Sequence, residues 1–219
     1  MTAYPPPSWL TDLAEELPSL PGERFSRFLP PPEGGRRHSA VLMLFAPSPE
    51  QPTDAGATSV VITERSHTMR SHPGQPAFPG GGSEDGDEGP AGTALREAWE
   101  EVDLDPGSVD VLAHLPTLHI PVSRYDVTPV LGWWRQPRPE ALWAKDTSEV
   151  ARVVQPSIGS LVDPAARFQV RHPSGFTGPA WDVDGLLVWG FTAGLLDTVL
   201  DLAGLTRPWR EKAPTRWIS

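Results

Sequence analysis

Apolar and polar positions along this chain fall into short blocks with different periods. Trp9, Leu10, Leu13 and Leu17 recur at spacings of three and four behind Ser8, which predicts a short amphipathic helix capped by Ser8. Prolines bracket it, with Pro5, Pro6 and Pro7 before and Pro30, Pro31 and Pro32 after. Residues 1–35 read as an N-terminal extension that packs on a main domain. Residues 40–45 form a continuous apolar run of strand length, and residues 58–63 form a second one rich in β-branched side chains. Both predict buried central strands. A Gly-, Pro-, Ser- and His-rich loop follows from 64 to 89, and an unstructured loop of that length inside a domain is often functional.

Pro90 suits the first turn of a helix running to Val102, with Leu95, Ala98, Trp99 and Val102 as its apolar stripe. Strand-like runs occupy 109–115, 126–134 and 149–154, and 158–161 reads as a short turn or helix. Residues 168–170 and 180–183 predict a hairpin around 173–178, and a closing helix spans 187–202. This order predicts an α/β sandwich with a mixed sheet over residues 36–205 and a tail from 206 to 219.

Composition narrows the function classes. The formal net charge of −10 argues against a nucleic-acid backbone as the main partner, since that binding needs a basic face. Cysteine is absent, which removes disulfides, thiolate metal sites and Cys nucleophiles together. Apolar runs such as residues 40–46 and 186–191 are far short of the roughly twenty residues of a membrane span, and the first residues lack the pattern of a signal peptide. A cytoplasmic protein without membrane contact is the expectation, and exposed apolar strands would support a homodimer.

The chemistry concentrates in the helix after Pro90. Glu97, Glu100 and Glu101 stand at i, i+3 and i+4 and so share one helical face. Like charges so spaced repel, and a hard cation such as Mg²⁺ or Mn²⁺ is one reason to gather them. Arg96 lies four residues before Glu100 and can orient its carboxylate. Taken alone, the pattern is more often an ordinary solvated acidic face with one salt bridge.

The residues upstream change that balance. Gly82, Glu88 and the run Arg96, Glu97, Ala98, Glu100, Glu101 stand at the spacing G-x5-E-x7-R-E-U-x-E-E. This resembles the Nudix box, with Asp103 where that pattern has Gly after the helix. A left-handed cap is expected there, and Asp tolerates it better than most residues. Before the box, Val61, Ile62, Thr63, Arg65, Ser66, Arg70, Gly74 and Phe78 to Gly81 resemble the signature of the coenzyme A pyrophosphatase branch of the Nudix superfamily. That branch often carries one extra residue after its paired glycines, so either Gly81 or Gly82 takes the place of the first box glycine.

The resemblance implies a Nudix-type α/β/α sandwich and a hydrolase that splits coenzyme A or acyl-coenzyme A at its diphosphate, giving 3′,5′-ADP and (acyl-)4′-phosphopantetheine. It places Mg²⁺ or Mn²⁺ on Glu97, Glu100 and Glu101, with Arg96 as their orienting partner. It sets the backbone of Gly80, Gly81 and Gly82 against the diphosphate, and Arg65 and Arg70 against phosphate groups. Glu149 matches a further acid of the family, a ligand or a base for water, although Arg152 stands where relatives carry a second one. A Nudix hydrolase acting on ADP-ribose, NADH or a dinucleoside polyphosphate is the first alternative, and a non-catalytic nucleotide-binding module the second.

Other candidates are weaker. The six histidines show no zinc spacing, and His67 and His72 are read as loop surface within reach of substrate. The chain has no phosphate-binding G-x-x-x-x-G-K-[ST] run and no G-x-S-x-G elbow. Trp133, Trp134 and Trp189 could stack a base, but two of the three are expected in the core.

Overall fold

The computed structural model of the protein describes residues 3–35, 37–69, 71–138, 142–210 and 213–218. Its centre is a mixed sheet built on β1 (Arg37–Ala46) and β8 (Tyr125–Trp134). These two strands run parallel in register from Arg37 opposite Tyr125 to Phe45 opposite Trp133. β2 (Ser59–Val60) and β5 (Gly80–Gly82) add to β1 antiparallel. β6 (Val109–His114) and β7 (Leu118–Ile120) add to β8 in the same sense.

Side chains alternate across these strands, so the apolar runs feed two cores at once. Met43, Phe45, Leu131 and Trp133 face one side, where α1 (Ser8–Glu16) and α4 (Gly190–Leu202) pack. Leu42, Leu44, Val130 and Trp134 face the other, against α2 (Gly89–Val102). The result is the expected α/β/α sandwich with a mixed sheet.

Two smaller sheets complete the body. β3 (Ile62–Arg65) lies between β4 (Pro76–Ala77) and β9 (Val150–Val154). After the short α3 (Ile158–Val162), β10 (Arg167–Arg171), β11 (Thr177–Val183) and β12 (Leu186–Val188) form a meander, and β13 (Thr215–Trp217) pairs parallel with β10.

The structure departs from expectation at definite points. The run 58–63 is two strands, because Val61 switches sheets: its N–H donates to the Leu44 carbonyl while Ile62 pairs with Val154. The loop 64–89 contains β4 and β5, and β12 precedes the last helix. Ser8 is the first helical residue and Pro7 the cap, so Ser8 caps nothing. On α2 the face turned to the sheet is Ala94, Ala98, Glu101 and Val102, while Trp99 is 49% exposed under the Lys145 ammonium. The two small alanines let the helix sit close to the sheet, which pushes the larger side chains of Leu95 and Trp99 to its flanks.

The N-terminal segment is woven into the main core. Leu10, Leu13 and Leu17 are buried, and the Trp133 indole N–H donates to the Tyr4 carbonyl at 2.8 Å. Each such leucine contributes about 2 kcal/mol of apolar burial. Among the described residues, no helix is long and apolar enough to cross a membrane.

Candidate active site

The glycine strand β5 and the acidic face of α2 are packed against each other. Gly80 passes so close to β1 that a Cβ on it would lie 2.6 Å from the Val41 Cα. A Cβ on Gly81 would lie 2.5 Å from the Glu97 carboxyl carbon. Glycine at these two positions therefore lets a carboxylate reach the strand backbone. The Gly80 N–H donates to Glu101 Oε2 at 3.0 Å.

Glu101 is 4% exposed, and burial pushes its carboxyl up to about 8, opposed by the Gly80 hydrogen bond and aggravated by the charge of Glu97. Glu97 is also raised, first by burial and further by Glu100 and Glu149, although Arg96 opposes this. Glu100 is the exposed member of the trio, with its side chain 46% accessible.

Arg96 organises the cluster. Its Nη1 donates to Glu97 Oε1 and Glu100 Oε2, each at 3.0 Å, and its Nη2 donates to the Gly82 carbonyl at 2.8 Å. Its Nε and Nη2 grip the two oxygens of Asp87 at 2.9 and 3.1 Å. That hydrogen bonding holds the Asp87 carboxyl well below the usual range, and the Glu84 N–H and Thr93 hydroxyl also donate to it.

Asp87, one residue before Glu88, is the acid that Arg96 grips. Asp87 stands six positions after Gly81 and bonds Arg96; Glu88, six positions after Gly82, is exposed and caps nothing with its side chain. Glu88 keeps the spacing of the box to Gly82 and Arg96, while the grip on Arg96 belongs to Asp87, a residue the sequence pattern did not single out. Asp103 takes the left-handed conformation at the end of α2, with φ 59°, and pairs with Lys145 at 2.8 Å.

These groups form one wall of a cavity of about 520 Å³. Arg65 stands on another wall. A register irregularity between Glu64 and Arg65 in the β3–β9 pairing accompanies the turn of Arg65 into the cavity. Its Nε is buried without a partner among the described residues, and its charge acts on Glu101. Glu149 lies in the turn before β9 and also lines the cavity; its carbonyl accepts from the Ser66 N–H at 2.7 Å. Arg152 pairs with Glu64 and takes no part. Arg70 lies outside the described residues.

His72 lines the cavity, whereas His67 is tied to Glu64 at 3.1 Å. Trp133 and Trp134 are core residues, and Trp189 packs on His172 and Phe176 away from the cavity.

A larger open groove of about 960 Å³ runs beside the C-terminal half of α4. Its acids are each paired with an arginine among the described residues, Asp197 with Arg167 and Arg210 and Asp201 with Arg24. The raised carboxylates and the Arg65 Nε, unpartnered among the described residues, rather than volume, make the cavity at β5 and α2 the candidate site.

Among the described residues no three acidic or imidazole groups are already drawn together as a metal cage, because Arg96 holds Glu97 and Glu100. The donor set nonetheless fits a hard divalent ion: a buried carboxylate that is strongly raised, a half-buried one that is also raised, and an exposed third beside them.

Comparison with known proteins identifies the family and the fold. A family profile for the NUDIX domain matches residues 35–168. A protein of Cronobacter sakazakii, described as an uncharacterized Nudix hydrolase NudL, is 34% identical over 168 residues, covering 74% of this chain and 80% of that one. A protein of the same description from Pectobacterium atrosepticum is 44% identical over 114 residues, 50% of this chain and 54% of its own. The crystal structure of a Nudix hydrolase from M. smegmatis, RenU, superposes with a TM-score of 0.52 at 19% identity, over 83% of this chain and 96% of that one, a likeness of fold.

Proposed function

Because this chain belongs to the Nudix hydrolase family, whose members act on pyrophosphate bonds, we propose that its substrate is coenzyme A or an acyl-coenzyme A. The products are then 3′,5′-ADP and (acyl-)4′-phosphopantetheine. The observation that carries this choice is Arg65, the first arginine of the coenzyme A-type signature, standing in the same cavity as the carboxylates with its Nε buried and unpartnered among the described residues. A guanidinium so placed is matched to a phosphate oxygen.

Glu97, Glu100 and Glu101 would hold Mg²⁺ or Mn²⁺. Such an ion neutralises diphosphate oxygens and acidifies water in this chemistry. The residues of the chain supply the rest. Asp87 anchors Arg96, so the guanidinium sets the orientation of Glu97 and Glu100. Gly80, Gly81 and Gly82 bring bare backbone to the diphosphate. Arg65 orients a phosphate, and the Glu149 carboxylate takes the proton of the attacking water. Phosphoryl transfer needs this positioning and charge balance more than covalent help.

The test is a substrate panel with Mn²⁺ or Mg²⁺: coenzyme A, acetyl-coenzyme A, ADP-ribose, NADH and diadenosine polyphosphates, each with Arg65→Gln beside the wild type. The proposal predicts the highest kcat/KM on the coenzyme A pair and a fall of about 10-fold or more in Arg65→Gln. Preferential cleavage of ADP-ribose or a dinucleotide would keep the diphosphate chemistry and overturn the substrate. Tight nucleotide binding without turnover would turn the site into a binding module.

A further inference from the structure

β8, which lies across β1 from the glycine strand, carries a group with no role so far. Tyr125 opens β8, and alternation along the strand sends Tyr125 and Val127 into the cavity while Asp126 points away. Asp126 is 2% exposed and is anchored from two elements: it accepts from the Gly35 N–H, and it bonds His119 Nδ1 on β7 at 2.7 Å. The strand start is thereby pinned, and Tyr125 is held with it. The Arg37 guanidinium lies 5.6 Å from the centre of its ring, which clamps the phenol further.

The Tyr125 hydroxyl stands 4.0 Å from the point where a Cβ on Gly82 would be, and the Gly82 carbonyl is the one that Arg96 grips. The phenol thus ends beside Gly82, in the same cavity as the acidic cluster. A diphosphate lying along β5 presents one phosphate to the carboxylates and their cation. Its second phosphate must find donors elsewhere, in a cavity whose other walls bear several acids. Given the diphosphate reading of the cavity, we infer that Tyr125 is a substrate-positioning residue whose hydroxyl donates to a non-bridging oxygen of that second phosphate. Arg65 and Tyr125 then hold the phosphate that the metal-binding carboxylates do not.

Tyr125→Phe removes the oxygen and keeps the ring, its contact with Arg37 and the apolar wall. Calorimetric titration with methylenediphosphonate in Mg²⁺ reads the hydroxyl without requiring turnover. The expected result is an affinity weakened about 10-fold with an unchanged melting temperature, as for the loss of one hydrogen bond to an anion. With coenzyme A as substrate, kcat/KM falls by a similar factor, mostly through KM. Tyr125→Ala should add a further loss through the ring. Diphosphonate affinity within twofold of wild type in Tyr125→Phe overturns the inference. If coenzyme A is not cleaved but the diphosphonate affinity still falls in Tyr125→Phe, the substrate proposal fails and the role of Tyr125 stands.

Discussion

Loading the site with a divalent ion should release a proton from Glu101, and the amount can be worked out. Its carboxyl is raised from 4.5 to about 8, so at pH 7 it is about nine-tenths protonated in the metal-free protein. A cation takes the ionised form only, so its binding near neutrality expels close to one proton. The logarithm of the binding constant should rise by about one per pH unit below pH 8 and flatten above it. The same shift acts on stability. The folded-state value lies above the unfolded one, so the stabilising proton is fully held below about pH 4.5 and is lost as pH rises through about 8. The span of about 3.5 units corresponds to at most about 5 kcal/mol of stability lost from the metal-free protein by pH 9. Titration with Mg²⁺ at pH 7 in phosphate and in Tris, whose ionisation enthalpies differ, measures the proton directly. Urea unfolding of the EDTA-treated protein between pH 5 and 9 measures the stability, with Glu101→Gln as the flat control. Release below about 0.2 proton, or identical pH profiles for wild type and Glu101→Gln, would refute the reasoning.

Asp87→Asn should lower kcat by about 10- to 100-fold and stability by about 1–2 kcal/mol, since it breaks a two-point grip on Arg96, while Glu88→Gln should do neither; kinetics and denaturant titration of the pair check this. Gly81→Ala should fold normally, because the group it meets is the movable end of Glu97, yet weaken Mg²⁺ or Mn²⁺ binding at least several-fold by calorimetry. Leu13→Ala should cost about 2–5 kcal/mol in urea unfolding, the price of a cavity in the main core; a loss under 0.5 kcal/mol would show that α1 is dispensable.

The parts legible in the sequence were those with a single dominant cause. An unbroken apolar run made β1 visible, and a mostly apolar second half made β8 visible, because a strand buried on both faces has little polar side to show. Pro90 and the spacing of Glu97, Glu100 and Glu101 made α2 visible. The rest depended on partners distant in sequence. Nothing local says that Val61 changes sheets, since the acceptor of its N–H is Leu44. Periodicity placed Trp99 inside because it is large and apolar, but tight packing of Ala94 and Ala98 against the sheet moved it out. Asp87 was hidden by one residue of spacing, and Tyr125 by belonging to a strand remote from the motif. Their proximity to Gly82 and Arg96 exists only once the chain is folded.

The most direct measurement of the central claim is product identification. Coenzyme A incubated with the protein and Mn²⁺ should yield 3′,5′-ADP and 4′-phosphopantetheine in equal amounts by mass spectrometry, with neither formed by Glu100→Gln. Intact coenzyme A under conditions where another nucleoside diphosphate derivative is cleaved would contradict it.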